Sequence, residues 1–314
     1  MSDRSRTNAA SPNAQLIKAV SGVKGRSLWV DARRRLFRNK AALLSIGILA
    51  SITLLAIFAP LLSQYDFTYQ DYAIISCAPP WWPGDAACSA GGTHWFGSDA
   101  NGRDLFVRVL YGARVSLAVG LVATLVSLLL GVLYGATAGF VGGRLDALMM
   151  RFVDILYSLP FIFFVIVLLV VFNGDFILLF VAIGAVEWLT MARIVRGQTL
   201  SIKQKEFIEA ARAAGVSTFG IIRRHIVPNV VGPVIIYVTL TIPGVILAES
   251  FLSFLGLGIR EPLTSWGVLI SEGAGNMETA PWMLLFPAAF MAITLFCFNF
   301  IGDGLRDALD PKDR

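Results

Sequence analysis

Charged residues are scarce in this sequence. Asp, Glu, Lys and Arg together make up 15% of its 314 residues, whereas a typical soluble domain carries about a quarter. Hydrophobic residues make up 56%, which excludes a disordered chain and argues against an ordinary soluble enzyme. The composition therefore indicates a polytopic membrane protein. Its length allows about six transmembrane helices, because each helix needs about 20 apolar residues to cross the bilayer.

Several kinds of catalytic and metal site lack the residues that they need. The only histidines are His94 and His225, and the topology derived below places them on opposite sides of the membrane. A Ser–His pair within the spans and a bis-histidine haem are therefore excluded. No Cys/His cluster has the spacing of a zinc site, and no phosphate-binding GxxxxGK[ST] loop is present. We predict no catalytic residue, no metal and no cofactor in this chain, which cannot hydrolyse ATP by itself.

Six apolar segments predict the membrane-spanning part of the chain. None of them alternates polar and apolar residues with a period of two, which favours helices over barrel strands. The segments are residues 41–62, 115–139, 148–172, 176–192, 230–255 and 282–301. The predicted fold is an all-α membrane protein with six transmembrane helices. Kinks are expected at the prolines within the spans, which are Pro160, Pro233, Pro243 and Pro287.

The basic residues predict the orientation of these helices. When the N-terminus is placed in the cytoplasm, 22 of the 26 Lys and Arg residues lie inside, as the positive-inside rule requires. Both termini are then cytoplasmic, in a basic tail 1–40 and a short tail 304–314. The basic loops lack interleaved aromatic residues, so they indicate topology and not nucleic-acid binding. Leu28, Ala32 and Leu36 favour an amphipathic helix on the membrane surface, with a solvated tail as the alternative.

Residues 63–112 form a long loop that this orientation places outside, in the periplasm. Cys77 and Cys88 lie within it. An oxidising compartment favours a disulfide between them over two free thiols, although the sequence does not give their geometry.

A polar string follows in the same loop. Asp99, Asn101 and Asp104 lie around Gly102, as at the start of a calcium loop, but the closing glutamate is absent. We expect instead a turn held by Asx-type hydrogen bonds, in which Arg103 pairs with a carboxylate.

The loop 197–229 is built differently from a plain connector. Residues 204–214 are strong helix formers, and Gly215 suits the position that follows the end of a helix. The loop therefore begins with a predicted short helix, whose small Ala residues would let another protein approach closely.

A second helix is predicted to complete a helix–turn–helix along the cytoplasmic face. Ser217 or Thr218 can cap it, and it is expected to run to His225. Pro228 is then expected to start the fifth span. This build predicts a docking element for a partner protein.

The same loop resembles a motif of a known family. It reads Glu209-Ala210-Ala211, then Gly215 after three residues, then Pro228 thirteen residues later. This pattern is similar to the EAA motif of bacterial ATP-binding-cassette importer permeases. In that family the element is the coupling helix, which lies in a groove of the ATPase subunit. The chain departs from the motif at His225, where the family usually has Ile.

The resemblance implies roles for individual residues of this loop. Glu209 would be a polar or ionic anchor to the ATPase, although a solvated helix glutamate is the plain alternative. Ala210, Ala211 and Gly215 would provide close approach and the turn. Arg223 and Arg224 would contact the partner or anionic lipid. Helix propensity alone accounts for the alanines, and topology alone accounts for the arginines.

Further motifs of the same family occur in order along the chain. They are Gly97-Ser98-Asp99 with Gly102-Arg103-Asp104, the stretches 249–258 and 265–267, and the tail 302–311. With the EAA motif they resemble the C-type permease subunit of oligopeptide and dipeptide importers over residues 25–314. The permease core would comprise residues 113–303.

The resemblance implies a complex in the bacterial inner membrane. This chain would form a heterodimer with a second, paralogous permease. Two ATPase subunits would bind ATP and Mg, and an extracytoplasmic peptide-binding protein would dock outside. Closure of the ATPases would move the coupling helices and so alternate the access of a shared cavity. Dipeptide, nickel and glutathione importers are related, and the sequence does not separate their substrates.

Charged residues within the spans are candidates for the transport pathway. Glu187 and Glu249 are the best placed. Four others lie near the inner interface and are expected to be solvated or paired: Asp146, Arg151, Asp154 and Arg193. The alternative function is a secondary transporter or channel, which would place ion-coupling carboxylates between internally repeated halves. The sequence shows no internal repeat.

Overall fold

The computed structural model describes residues 28–83, 93–171 and 176–309. Within these ranges the chain is helical, and the one strand-like pairing is an isolated bridge between Ser98 and Asp104. The predicted all-α class is therefore confirmed. The helices are α1 Leu28–Leu36, α2 Lys40–Ile57, α3 Ala59–Leu62, α4 Leu105–Val141, α5 Gly143–Ser158, α6 Phe161–Val171, α7 Phe176–Ile202, α8 Glu206–Ala213, α9 Thr218–Ile221, α10 Val227–Phe254, α11 Trp266–Ala274 and α12 Trp282–Leu309.

Four helical units of the described chain are long and apolar enough to cross a membrane. They are α2, α4, the combined unit Thr218–Phe254 and α12. They coincide with the first, second, fifth and sixth predicted segments. Helix α4 begins at Leu105, well before the predicted residue 115, because the Asp104 carboxylate caps its first turn at the Val107 N–H.

The third predicted segment is divided at Pro160, where the sequence predicts a kink. Helix α5 ends at Ser158 and α6 begins at Phe161. Between them Leu159 is extended, with φ −75° and ψ 134°, because Pro160 disfavours helical geometry in the preceding residue. By contrast, the prolines within α10 and α12 are accommodated inside those helices. Only the proline at 160 divides its span.

Helices α4 and α7 pack against each other at backbone contact. Gly131, Gly135 and Gly139 lie at four-residue spacing on α4, and a Cβ at each would come closer than 3.0 Å to α7. Real side chains essentially never pack so closely. Small residues at this spacing let two membrane helices approach to backbone contact. The α4–α7 pair therefore provides a rigid frame for the side chains described below.

The first and last helices of the described residues pack together. Helix α1 confirms the helix that Leu28, Ala32 and Leu36 predict, and Leu36 lies against Gly304 near the end of α12. Helix α12 runs without interruption to Leu309. The end of the sixth apolar segment at 301 therefore marks a change of composition and not the end of a helix.

Candidate functional site

The EAA loop, residues 197–229, contains the short helix that the sequence predicts. Helix α8 ends in a Schellman motif. The Val216 N–H donates to the Ala211 carbonyl at 3.1 Å and the Gly215 N–H to the Arg212 carbonyl at 2.9 Å. Gly215 has φ +76°, and a Cβ at this position would meet only open space. The predicted turn at Gly215 is confirmed, and glycine is favoured there by backbone conformation and not by crowding.

One face of α8 is buried against the bundle. Ile208 is completely buried, and Ala211 is almost so. They pack in one apolar cluster with Ile221, Ile226 and Val230 at the start of the fifth span. The small side chain of Ala211 therefore lets α8 pack closely against the bundle. This anchoring makes the EAA loop an extension of the core and not a free connector.

The opposite face of α8 points outward. Glu209 and Ala210 are exposed there, in the first turns of the helix, where a negative charge is favourable. Phe207 is 44% exposed and Phe219 is 70% exposed. Exposed aromatic side chains beside charges are typical of protein contact surfaces. Sequence reasoning missed both phenylalanines, and its statement that the basic loops lack interleaved aromatic residues is wrong for this loop.

The second half of the EAA loop differs from the prediction in one respect. Ser217 caps α9, and its hydroxyl accepts from the Gly220 N–H at 3.2 Å, as expected. The helix does not stop at His225, however. A π-helical turn, Ile222–Ile226, joins α9 directly to α10. Pro228 follows this π-helical turn at the start of α10, and the helical unit continues through it.

Residues Thr218–Phe254 therefore form one helical unit of 37 residues, named here the α9–α10 rod. At 1.5 Å per residue it is about 55 Å long. Arg223 and Arg224 are exposed near its loop end. The rod links the EAA loop to the far side of the bundle.

The polar string of the 63–112 loop forms the predicted turn. The Asp99 Oδ1 accepts from the backbone N–H groups of Asn101 and Arg103 at 2.8 and 2.9 Å. Gly97 and Gly102 have φ +75° and +72°, and a Cβ on either would overlap a neighbouring backbone carbonyl. Glycine is therefore required at both positions by conformation and by space.

The turn is part of an ionic network, named here the Arg cluster: Asp99, Arg103, Arg108, Glu261 and Glu272. Asp99 and the two arginines are buried, whereas Glu272 is partly exposed and Glu261 is exposed. The Asp99 Oδ2 accepts from Arg103 Nε at 2.7 Å and from Arg108 Nη1. Arg103 also contacts Glu261 at 2.6 Å, and Arg108 contacts Glu272 at 2.8 Å. Burial by itself would raise the pKa of Asp99, but Arg108 and Arg103 outweigh it and hold this pKa below its ordinary value. The pairing of Arg103 is confirmed.

The sequence did not predict the other members of the Arg cluster. Arg108 entered the sequence analysis only as one of the basic residues outside the membrane. The two glutamates lie more than 150 residues from the arginines in sequence. No local pattern links them to Asp99. The cluster joins the 63–112 loop to the segment that contains α11.

Asp104 has a separate role in the same loop. Its Oδ1 caps α4, and its Oδ2 lies 2.7 Å from His94 Nδ1. The His94 ring stacks on Tyr65 with centroids 4.5 Å apart. Burial raises the pKa of Asp104. Both carboxylates of the calcium-like string are therefore engaged by protein groups, and the described ranges contain no cluster of three or more metal-binding side chains.

The predicted disulfide involves a residue outside the described ranges. Cys77 is disulfide-bonded, whereas Cys88 is not among the described residues. Its pairing with Cys77 stays a prediction.

Glu249, near the far end of the rod, is completely buried inside the chain. Its Oε1 accepts from the hydroxyls of Ser253 and Ser265, both at 2.7 Å. Ser265 in turn caps α11 at the Val268 N–H. In this structure Glu249 therefore ties α10 to α11.

Glu187 is placed differently, in an open cavity of about 510 Å³ beside the break between α5 and α6. The remaining lining residues are Leu156, Tyr157, Ser158, Leu159, Pro160, Val186 and Thr190. Of the two acidic candidates for the pathway, Glu187 is the one that faces a space large enough for a ligand.

Three charged residues near this cavity are paired, as expected. Arg193 Nη2 donates to Asp154 at 2.8 Å. Asp146 accepts two bonds from Arg196, at 2.6 and 2.7 Å. These pairs tie α5 to α7.

Two parts of the chain match known protein families. Residues 128–314 match the family described as binding-protein-dependent transport system inner membrane component. Residues 27–80 match the N-terminal transmembrane domain of oligopeptide transport permease C.

Three curated relatives align over nearly the whole chain. The oligopeptide transport system permease protein OppC of Escherichia coli (strain K12) is 60% identical over 93% of this chain and 94% of its own. OppC of Haemophilus influenzae is 53% identical over 96% of each chain. The dipeptide transport system permease protein DppC of Bacillus subtilis is 45% identical over 90% of this chain and 86% of its own.

Proposed function

We propose, since the chain belongs to the family of inner-membrane components of binding-protein-dependent transport systems, that it forms half of the translocation pathway of an ATP-driven oligopeptide importer. It is a multi-pass protein of the bacterial inner membrane. The observation that carries the proposal is the EAA loop, which is anchored inward through Ile208 and presents Glu209 and Phe219 outward. The identities of 60% and 53% to two oligopeptide permeases, against 45% to a dipeptide permease, support the substrate class.

The chain crosses the membrane six times, with both termini in the cytoplasm. Four spans are the long apolar helical units. Of the two remaining spans, one is the broken pair α5 and α6. The other is α7, whose 27 residues extend about 40 Å. The distribution of Lys and Arg supports this orientation.

The complex contains a second permease, two ATPase subunits that bind ATP and Mg, and a peptide-binding protein outside. Closure of the ATPases displaces α8. Because Ile208 and Ala211 share an apolar cluster with the base of the α9–α10 rod, the displacement passes into the rod. At the far end the Glu249–Ser265 hydrogen bond passes it to α11. The chain thus couples the two sides of the membrane mechanically.

The peptide passes along the cavity that Glu187 lines. This placement is supported by the helix break at Leu159 and Pro160, since broken helices in transporters commonly line substrate sites.

The test is uptake of a labelled pentapeptide into proteoliposomes that contain the complete complex. We expect uptake to require ATP and the binding protein, and to persist when ionophores collapse ion gradients. Uptake that follows an ion gradient and ignores ATP would instead identify a secondary transporter. Copurification of the ATPases from native membranes provides an independent check.

The EAA loop is tested within the same assay. Glu209→Lys reverses the charge on the outward face of α8, so we expect normal insertion and strongly reduced uptake. Glu278→Gln, an exposed residue far from this loop, is the control. Uptake at the unmodified rate by Glu209→Lys, at equal membrane levels, would remove this residue from the docking surface.

A further inference from the structure

The cavity beside the break between α5 and α6 contains one charged group among its lining residues, the carboxylate of Glu187. This side chain is half-buried. Within the described chain no hydrogen bond or ion pair engages its carboxylate, and its electrostatic neighbour on α10, the phenol of Tyr237, brings no positive charge. A cation that binds beside such a carboxyl group stabilises its ionised form and supplies the partner that the described chain lacks.

The two arginines that follow Glu187 on α7 are already engaged. Arg193 binds Asp154, and its guanidinium also lies over the Tyr157 ring, 4.2 Å from the centroid. Arg196 is held by both oxygens of Asp146. The charge of Glu187 is therefore not neutralised by these two arginines.

The partial charges of the helix ends at the break do not cancel the negative charge of Glu187. The C-terminus of α5 at Ser158 carries about half a negative charge, and the N-terminus of α6 carries about half a positive charge. The two partial charges largely offset each other, whereas Glu187 carries a full unit. The cavity therefore favours a positively charged group.

We infer that Glu187 binds the ammonium group of a peptide in transit, an inference that rests on the proposed function. Ammonium has three N–H donors, and the cavity offers the Glu187 carboxylate together with the hydroxyl groups of Ser158 and Thr190. Its volume of about 510 Å³ lies within the usual range for small-ligand sites. The ammonium can come from the peptide N-terminus or from a lysine side chain.

The test measures direct binding to the purified complex of both permeases and the ATPases in lipid nanodiscs. The peptide-binding protein is left out, so that its own selectivity does not enter. The probes are trialanine, N-acetyl-trialanine and N-acetyl-Ala-Lys-Ala, titrated by saturation-transfer NMR up to about 10 mM, the range of weak sites. The variants are Glu187→Gln and the exposed control Glu278→Gln.

We expect the unmodified complex to bind trialanine about tenfold more tightly than N-acetyl-trialanine, as a charge-assisted hydrogen bond provides. Glu187→Gln should abolish this preference, and Glu278→Gln should keep it. Tight binding of N-acetyl-Ala-Lys-Ala would show that any ammonium suffices. Its weak binding would assign the site to the peptide N-terminus.

The inference is overturned if the unmodified complex shows no preference, if neither peptide binds up to about 10 mM, or if Glu187→Gln keeps the preference. ATP-driven peptide uptake separates this failure from failure of the proposed function. A complex that transports pentapeptide but ignores the ammonium group would sink only the assignment of Glu187. A complex that transports no peptide would sink the importer proposal itself.

Discussion

The EAA loop and the Arg cluster lie at the two ends of the bundle and are held by different forces. At the EAA loop, Ile208 and Ala211 are buried among aliphatic side chains, and the charges face outward. At the Arg cluster the charges themselves are buried, with Asp99 between Arg103 and Arg108.

This difference determines what each end can tolerate. Apolar packing is non-directional and depends mainly on buried area. A buried ion network needs every partner, because the loss of one leaves an uncompensated charge in a poorly solvated site. Substitutions at the EAA loop should therefore reduce stability in proportion to the apolar area lost. The loss of a single partner from the Arg cluster should reduce stability sharply.

The largest expected effect tests the Arg cluster. Arg108→Met keeps much of the side-chain volume but removes the cation between Asp99 and Glu272. We expect a loss of about 3 kcal/mol or more, as for other broken buried ion pairs. The measurement is denaturant unfolding of the purified protein in detergent.

The matched control is Arg260→Met, because Arg260 is exposed in the same outer segment. It should change stability by no more than about 0.5 kcal/mol. Equal losses of stability at the two arginines would mean that the Arg cluster contributes no more to stability than an exposed arginine does.

A somewhat smaller effect is expected at the EAA loop. Ile208→Ala opens a cavity beneath α8 and should cost about 2–3 kcal/mol. Hydrogen exchange of the α8 amides reports the loss locally. Phe219→Ala, on the exposed surface of α9, should leave exchange unchanged and weaken ATPase copurification. If both variants alter exchange alike, the division of the EAA loop into a buried anchoring face and an exposed docking face is incorrect.

The same contrast explains what the sequence could predict. The Gly215 turn and the Asp99 turn depend on residues only a few positions apart, so local rules found both. The Arg cluster depends on Glu261 and Glu272, which only the folded chain brings to Arg103 and Arg108. Apolar periodicity located most spans. At Pro160 the sequence predicts a kink, but it does not distinguish the full break at Leu159 from the prolines that α10 and α12 accommodate. It also gave no sign of the exposed Phe219.

A third prediction compares glycines at the two ends. Gly215→Ala should cost about 1 kcal/mol, because only its left-handed backbone opposes a side chain. Gly102→Ala should cost more, since its Cβ would also overlap the Asp71 carbonyl. Unfolding of both variants beside the unmodified protein gives the comparison. A larger loss at Gly215 would contradict the difference in packing.

The smallest effect is expected from acid, and only at the Arg cluster. The pKa of Asp99 is lowered in the folded protein from an ordinary value of 3.8. Its ionised form therefore contributes stability that is fully present above pH 3.8 and is lost as the pH falls through the folded pKa. Asp99→Asn removes this contribution at every pH. Asp104, whose pKa shifts the opposite way, is present in both proteins, so its effect cancels in their difference. The gap in Tm between the two proteins should be constant from pH 7 to pH 5 and shrink below pH 3.8. A gap that shrinks already near neutral pH would show that a group other than Asp99 controls the cluster.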